Sequence, residues 1–222
     1  MNHGKLQRRL SQRWHAWVMA RVSAYTDAHL RPYKEKLLAG LRGRVLEIGP
    51  GTGPNLRYYP AQVRWIGVEP NPFMHRYLRA EVERRGVNAA LIVGWAEQLA
   101  LEDESVDAVV STHVLCTVSD PERALREILR VLVPGGRFLF IEHVAAPAGT
   151  RLRRWQERAR PLWKRLAEGC HPDRETDRLI SAAGFEHVFL QRLLLPVPLV
   201  APHIVGVAIK RAAVGVSIPH PH

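Results

Sequence analysis

A glycine-rich turn follows a short apolar run in the sequence VLEIGPGTG, residues 45–53. Glycine tolerates backbone conformations and close approaches that a larger side chain prevents, and the turn has one at every second position, at Gly49, Gly51 and Gly53. The order of apolar run, acid (Glu47) and glycines predicts a strand that leads into a loop over which a ligand lies close to the backbone. Such loops serve dinucleotides and other adenosine-bearing cofactors.

A second acid, Glu69, ends the next apolar run, VRWIGVE at residues 63–69. An acid at this place can accept hydrogen bonds from both hydroxyl groups of a ribose, and NAD sites share this feature. The spacing of the glycines separates the two ligand classes. The dinucleotide fingerprint G-x-G-x-x-G requires glycine at position 54, where this chain has Pro54, so the loop favours an adenosine cofactor of another kind.

Strand-like and helical patterns alternate along most of the chain, which predicts parallel βαβ units with right-handed crossovers. Asp120 and Pro121 mark the start of one helix, and the turn at residues 134–136, Pro-Gly-Gly, marks its end. Ligands bind at the carboxyl ends of the strands in such a sheet, which places the glycine loop at the site. The predicted strands cover residues 44–48, 63–68, 89–93, 106–111 and 137–144, and the clearest helices cover residues 72–85 and 121–132.

The C-terminal third is predicted to close this sheet with a hairpin. Helical stretches at residues 151–167 and 174–183 precede two apolar, strand-like runs at residues 185–192 and 203–210. No crossover helix fits between those two runs, so we expect them to pair antiparallel. The predicted fold is therefore α/β: a doubly wound, mostly parallel, seven-stranded Rossmann-like sheet with an antiparallel C-terminal hairpin and helical lid segments.

The net charge of +11 is concentrated in two segments. Residues 1–44 contain ten lysines and arginines against two acids, and residues 151–165 contain seven against one. Such blocks bind nucleic acids, membrane surfaces or acidic ligands, or are simply solvated helix faces. We expect an N-terminal amphipathic helical lid over residues 1–40 and one domain over residues 41–222, with a helical insert at about 145–183 and a frayed tail after Val216.

The two cysteines, Cys116 and Cys170, are too few for a disulfide framework and lack the spacing of a metal site. We expect both to pack or to line a pocket, and we expect no metal site. The sequence also lacks an apolar run of 18 residues and a signal-peptide core, so a cytoplasmic protein is expected.

Four successive motifs resemble those of class I S-adenosylmethionine-dependent methyltransferases: VLEIGPGTG, GVEPNP, GWAEQLALEDESVDAVV and VLVPGGRF. The resemblance implies S-adenosylmethionine as the cofactor, with the three glycines beside its methionine and ribose portions, Glu69 on the ribose, and Ala96 and Glu97 beside the adenine. The chain departs from the usual pattern at Trp95, where an aspartate often meets the adenine amino group; Trp95 either stacks on the adenine or packs. The expected cofactor residues are Glu47, Gly49, Gly51, Gly53, Asn55, Glu69, Pro70, Asn71, Trp95, Ala96, Glu97, Thr112 and His113.

Longer stretches are similar to the methyltransferase-like family whose animal members S-methylate alkyl thiols at membranes, and to its bacterial relatives. They are VLCTVSDPERALREILRVLVPGGRFLFIEHVA at residues 114–145, GCHPDRET at 169–176 and PLVAPHIVGVAIK at 198–210. The resemblance implies a small, fairly apolar thiol as the methyl acceptor. The alternatives are O- or N-methylation of a lipid, a quinone or another small molecule, and methylation of RNA, although we expect no nucleic-acid partner.

A thiol acceptor reacts as its thiolate, so such an enzyme needs only a modest base or a positive field. Histidines at strand ends or in the insert are the candidates for the catalytic base: His143 first, then His171 and His113. For each, the alternative is a hydrogen-bonded structural histidine. The apolar walls of an acceptor pocket are expected from Leu193, Leu194, Leu195, Val197 and Leu199.

The N-terminus departs from the animal relatives, because a basic amphipathic segment replaces their apolar anchor. Tryptophans lie on both arginine-rich segments, at Trp14, Trp17, Trp155 and Trp163. This composition suits an anionic membrane surface. We therefore expect weak peripheral attachment at the inner membrane surface, with the same helices roofing the pocket.

Overall fold

The computed structural model describes residues 12–14, 16–17 and 27–213. Residues 1–11, 15 and 18–26 of the predicted N-terminal lid lie outside these ranges, as does the tail after Val216. Within the described part, Trp14 and Trp17 are helical, and their rings stack with centroids 5.2 Å apart. A longer helix, α1, covers residues 27–38 and ends before the sheet begins.

A seven-stranded sheet forms the centre of the molecule, with the strand order β3-β2-β1-β4-β5-β7-β6. Strands β1 to β5 pair parallel to one another, and β7 pairs antiparallel with both β5 and β6. The predicted mostly parallel sheet with a C-terminal hairpin is thus confirmed. The strands are β1 Arg44–Ile48, β2 Arg64–Val68, β3 Ala89–Ile92, β4 Val106–Thr112, β5 Leu132–His143, β6 His187–Leu194 and β7 Pro202–Ile209.

Apolar layers lie on both faces of the sheet, because successive side chains of a strand point to opposite faces. On β1, Leu46 belongs to one layer with Ile128 of the helix after β4, whereas Val45 belongs to the other layer with Leu78 of the helix after β2. The remaining helices are α2 His75–Arg85, α3 Pro121–Val131, α4 Arg151–Leu166 and α5 Thr176–Ala182, and a 3-10 helix covers Pro54–Tyr58.

Strand β5 begins earlier than predicted. Its first residue, Leu132, directly follows α3 and pairs with Val106, and the next pair joins Ala108 to Arg137. The predicted turn at residues 134–136 is therefore an irregularity inside the strand. The start of α3 agrees with the prediction, since the Asp120 side chain accepts a hydrogen bond from the backbone N–H of Arg123 at 2.9 Å.

The insert between β5 and β6 is tied to the sheet through one buried glutamine of α4. The Gln156 side chain accepts a hydrogen bond from the N–H of Ala146 at 2.7 Å and donates one to the carbonyl of Leu199 at 2.9 Å. Both bonds join α4 to segments that flank the carboxyl end of β5. The insert is thereby held over the edge of the sheet where a ligand is expected.

A buried ion pair within α1 contacts the 3-10 helix that follows β1. Lys34 Nζ lies 2.7 Å from Asp27, both side chains are buried, and Asp27 also accepts a hydrogen bond from Tyr58 and contacts Arg57. Burial lowers the pKa of Lys34, although the hydrogen bond from Lys34 to Asp27 opposes this shift. Because both charges are paired, their burial can be accommodated.

An adjoining face of α1 packs against the loop that precedes β7. Leu30 of α1 forms an apolar cluster with Ile141, Leu195 and Val205, and Leu193 and Val197 pack against it. Leu194, however, is 78% exposed, so the expectation that it lines a pocket is wrong.

Among the helices of the described residues, none is long and apolar enough to cross a bilayer.

Candidate active site

The glycine loop follows β1 with all three glycines at positive φ, +57° at Gly49, +58° at Gly51 and +85° at Gly53. A Cβ atom at Gly49 would lie 2.6 Å from Val114, and one at Gly53 would lie 2.8 Å from Leu56. At Gly51, in contrast, a Cβ atom would meet nothing within 4 Å. Two glycines thus allow close packing beneath the loop, and the third leaves open space above it.

A buried carboxylate holds this loop from below. Glu47 accepts hydrogen bonds from Asn55 at 2.8 Å, from the hydroxyl of Tyr59 at 2.8 Å and from the indole N–H of Trp65 at 2.9 Å. Burial raises the pKa of Glu47, and these three donors oppose the shift. These bonds give Glu47 a structural role under the loop, and its contact with a cofactor stays a prediction.

Asn55 connects the loop to the end of β4. Its side-chain Nδ2 donates to Glu47 and, at 3.1 Å, to the hydroxyl of Thr112. Its Oδ1 is buried and has no hydrogen-bond partner. A buried acceptor without a donor carries a desolvation cost, so this atom is suited to receive a donor group from a ligand.

Glu69, at the end of β2, is bonded to the same loop. One carboxylate oxygen accepts the N–H of Gly51 at 3.0 Å, and the other accepts the N–H of Asn71 at 2.8 Å. Burial raises the pKa of Glu69, and the two backbone bonds oppose this shift. The Asn71 side chain donates to the carbonyl of Gln12 at 3.0 Å, which brings the N-terminal segment to the Glu69 end of the site.

The loop after β3 brings the predicted adenine contacts to the same edge of the sheet. Ala96 is buried, and Trp95 is 51% exposed. One oxygen of Glu97 accepts the N–H of Ser119 at 2.9 Å, whereas its Oε2 is buried without a hydrogen-bond partner. Glu97 therefore offers a second acceptor to a ligand.

These features fit the cofactor that the sequence implies. S-adenosylmethionine carries hydrogen-bond donors on its methionine ammonium, its ribose hydroxyls and its adenine amino group. The structure provides open space at Gly51 and acceptor oxygens on Asn55, Glu69 and Glu97. Which acceptor receives which donor remains a prediction, and so does the role of Pro70.

Two histidines form a hydrogen-bonded pair at the carboxyl edge of β4. His203, at the start of β7, lies with its Nδ1 3.0 Å from the carbonyl of Ala201 and its Nε2 3.0 Å from His113 Nε2. A carbonyl only accepts, so His203 Nδ1 carries the proton and His203 Nε2 accepts one from His113 Nε2. The lone pair of His113 Nδ1 is then left for another donor.

Both rings of this pair are neutral at physiological pH. Burial, together with His203 and His143 nearby, holds the pKa of His113 well below its usual value. Burial lowers the pKa of His203 to about 4. His113 also has φ of +57°, a conformation that is strained for a residue other than glycine. Strained backbone of this kind clusters at functional sites.

His143 ends β5 beside two cysteines. Its Nε2 lies 3.0 Å from Cys170 Sγ, and Trp163 of α4 donates its indole N–H to the same sulfur at 3.3 Å. Hydrogen bonds from Cys116 and His143 lower the pKa of Cys170, although burial opposes this shift. The spacing of the cysteines in the sequence did not predict that Cys116, His143 and Cys170 meet, with ligand atoms within 4.8 Å of one another.

His171 lies next to this cluster but in a different role from His143. Its backbone N–H donates to the carbonyl of Cys116 at 2.8 Å, and its ring is half-buried. Burial lowers the pKa of His171, and Arg174 and Lys164 reinforce the shift. Arg174 itself donates to the carbonyls of Leu115 and Val118 and fastens the insert to the loop after β4.

Comparison with known proteins gives matches over nearly the whole chain. A family model described as a methyltransferase domain matches residues 46–140. The Homo sapiens thiol S-methyltransferase TMT1A is 36% identical over 214 residues, which cover 90% of this chain and 88% of that protein. The Mus musculus thiol S-methyltransferase TMT1B is 38% identical over 209 residues, 87% of this chain and 85% of that protein.

Among solved structures, the [4+2]-cyclase SpnF has the same fold, with a TM-score of 0.66 and 22% identity over 83% of this chain and 81% of that one. A fold can serve several chemistries, so this likeness concerns architecture alone. The assignment of activity rests on the sequence relatives and on the site.

Sequence reasoning missed His203 and the meeting of the two cysteines. His203 lies 90 residues after His113, and the cluster residues are spaced 27 residues apart, so no local pattern connects them. The one available signal for His203 was its position at the start of a strand predicted to run antiparallel. Such a strand begins at the edge where the parallel strands end.

Proposed function

This chain belongs to the thiol S-methyltransferase family of TMT1A and TMT1B, and we propose that it transfers a methyl group from S-adenosylmethionine to the sulfur of a small, fairly apolar thiol. That it is an S-adenosylmethionine-dependent methyltransferase follows from its family. The thiol acceptor and the roles of individual residues are the proposed parts.

The observation that carries the acceptor is the extent of the similarity. The match to the thiol methyltransferases covers 90% of the chain, whereas the methyltransferase domain accounts for residues 46–140. The part of the match that lies outside residues 46–140 includes most of the insert and the C-terminal hairpin. Both surround the edge of the sheet beside His113 and His143. Segments at this edge select the ligand in an open α/β sheet, so their similarity supports a similar acceptor.

When bound, S-adenosylmethionine supplies an electrophilic methyl group on a sulfonium sulfur. The glycine loop, Glu69, Asn55 and Glu97 would hold the cofactor. Most of the acceleration in such a displacement comes from positioning and from the exclusion of water. The insert, held over the edge by Gln156 and Arg174, would exclude water from the acceptor.

We place the proton acceptor at His113 rather than at His143. Each ring has one nitrogen paired and the other without a partner, but His143 Nδ1 is buried, whereas the His113 ring is partly exposed and its Nδ1 lone pair is left available by the His203–His113 bond. His203 is a positioning residue, because its bond to Ala201 fixes its tautomer and thereby that of His113. His113 would take the proton of the acceptor thiol at Nδ1 and hold it while the thiolate reacts.

The proposed acceptor is tested with a panel of small thiols, phenols and amines, with the demethylated cofactor product measured. We expect turnover with apolar thiols such as an alkanethiol and little turnover with a phenol or amine of matched size. The Gly51→Val variant serves as the control for cofactor-dependent signal. Methylation of phenols or amines without methylation of any thiol would show that the acceptor is wrong.

The exposed face of α4 supports peripheral attachment to an anionic membrane. Trp155, Leu162 and Leu166 lie on one side of this helix at spacings of seven and four residues and are 64–70% exposed. Arg151, Arg158 and Arg165 are exposed along the flank of that stripe, again seven residues apart. An apolar stripe with flanking arginines is the composition of a helix that lies in a membrane interface. The attachment would place the enzyme where apolar thiols concentrate.

Vesicle sedimentation tests the attachment. We expect binding to vesicles that contain anionic lipid, weaker binding as salt rises, and a several-fold loss in Trp155→Ser. Phe189, on β6, is also exposed, at 59%, and Phe189→Ser is the matched control that should bind like wild type. Equal binding by both variants, or no binding at low salt, would leave the arginine-rich face as a solvated surface.

A further inference from the structure

Three soft metal ligands meet in the interior at the carboxyl end of β5. They are Cys116, His143 and Cys170, all buried, with one ligand atom from each lying within 4.8 Å of the other two. We infer that this cluster binds a zinc ion, with the two cysteine sulfurs and His143 Nε2 as its protein ligands. The inference goes beyond the proposed function and does not depend on which acceptor the enzyme methylates.

The spacing of the three atoms is close to that of a zinc site. Zinc binds sulfur at about 2.3 Å and imidazole nitrogen at about 2.0 Å in tetrahedral geometry, so the ligand atoms stand about 3.5–3.8 Å apart around the ion. His143 Nε2 and Cys170 Sγ are 3.0 Å apart, and all three separations fall below 4.8 Å. An outward movement of about half an ångström at the closest pair would admit the ion, which is within the range of a side-chain rotation.

The charge of the cluster selects a divalent ion. Two thiolates and a neutral imidazole carry two negative charges, which Zn²⁺ cancels, whereas Cu⁺ would leave one negative charge buried. Two sulfurs and one nitrogen also disfavour Mg²⁺ and Ca²⁺, which take oxygen ligands.

Hydrogen bonds hold the segments that carry the two cysteines, whereas His143 Nδ1 is buried without a partner. Cys116 lies in the loop after β4, His143 ends β5, and Cys170 lies in the insert, so three segments converge on the ion. His171 N–H bonds to the Cys116 carbonyl at 2.8 Å, and Trp163 donates its indole N–H to Cys170 Sγ. Donors to a ligating sulfur are typical outer partners of metal sites.

Zinc would therefore fasten the insert to the sheet. Among the residues that the structure describes, these three form the group of histidine, cysteine and carboxylate side chains close enough together to share an ion. The fourth tetrahedral position is therefore left to a non-protein ligand. A site of this kind sits within the enzyme and beside the histidine pair, and its metal content is measurable without any assay of activity.

The experiment measures zinc in untagged, full-length protein purified without chelator. An added histidine tag would itself bind zinc and obscure the result. The sequence already has two histidines in PHPH at residues 219–222, and every variant keeps them. We expect one equivalent of zinc in wild type by mass spectrometry, and loss of more than about nine-tenths of it in Cys170→Ser and in His143→Asn. His187, exposed on β6, gives the matched control His187→Asn, which should keep the full equivalent.

A second measurement needs no variant and so remains decisive if a variant fails to fold. Cobalt added to zinc-free wild type should give a saturable sulfur-to-cobalt charge-transfer band at one equivalent, and zinc should abolish it. The absence of this band together with the absence of zinc would overturn the proposal. So would zinc that persists in both cluster variants, or a purified protein that retains copper in place of zinc.

Discussion

Replacement of Gly51 by alanine separates the cofactor role of the glycine loop from its backbone conformation. Gly51 has φ of +58° and open space where a Cβ would lie, and Gly86, which ends α2, has φ of +63° and the same open space. An alanine at either position meets no protein atom within 4 Å. Each variant therefore incurs the same left-handed backbone strain, about 1–2 kcal/mol.

The two positions differ in what faces the added methyl group. Gly86 caps a helix, whereas Gly51 donates its N–H to Glu69 in the loop that we assign to the cofactor. A methyl group at Gly51 would push a bound ligand away from the loop and cost at least one hydrogen bond to a charged group, about 1.5–3 kcal/mol. That cost corresponds to an affinity lowered about 10- to 150-fold.

Calorimetry with S-adenosylhomocysteine measures the affinity, and thermal unfolding without ligand measures the strain. We expect both variants to lose about 2–8 °C in melting temperature, given about 2–4 °C per kcal/mol for a chain of this size. Only Gly51→Ala should lose affinity, and Gly51→Val should lose more. If Gly51→Ala and Gly86→Ala bind the ligand equally well, the space above Gly51 is not the cofactor site.

Three further predictions test the base, the buried ion pair and the carboxylate under the loop. In His113→Asn, asparagine tolerates the positive φ but cannot take a proton, so kcat should fall about 10²- to 10⁴-fold while cofactor affinity is retained. His171→Asn is the control, and a larger loss of kcat in that variant would transfer the role of base to His171. Lys34→Met should destabilise the fold by about 3 kcal/mol, because Asp27 stays buried with only Arg57 and Tyr58 as partners. Arg31→Met, which removes an exposed pair with Glu35, should leave the denaturant midpoint unchanged, and equal shifts of the midpoint in the two variants would contradict this prediction. The pKa of Glu47 in the folded protein is raised above its usual 4.5, so the stability that Glu47 contributes is present below pH 4.5 and is lost as pH rises through the folded pKa. In urea unfolding, the difference in stability between wild type and Glu47→Gln should therefore shrink from pH 4.5 to pH 8, and a difference that grows with pH would refute the prediction.

The inner strands of the sheet could be predicted from the sequence because they are buried on both faces and so appear as continuous apolar runs. Both β1 and β2 have four buried residues after an exposed arginine, and their predicted limits were correct to within a residue. The glycine loop was predictable for a related reason: Gly49 and Gly53 have neighbours that a Cβ would strike. Such local constraints are visible as residue types at fixed spacing.

The histidine and cysteine groups could not be predicted in the same way, because they depend on how strands are ordered. His143 and Cys170 meet only because the insert folds back over β5, and His203 reaches His113 only because β7 lies beside β5. The start of β5 was also missed. The Pro-Gly-Gly sequence at residues 134–136 signals a turn, but Leu132, which precedes that turn, already pairs with Val106. Long-range pairing decided each of these features.

The antiparallel direction of β7 has a consequence for how this enzyme could diversify. Five parallel strands deliver their loops to one edge, and β7 adds to that edge the segment that leads into it, residues 195–201. The insert reaches the same edge from β5. The parts that would hold the cofactor, β1 to β3 and their loops, are thus encoded in one half of the gene, and the parts that would contact the acceptor largely in the other. Recombination near the middle of the gene could exchange one acceptor for another while it leaves the methyl donor site intact.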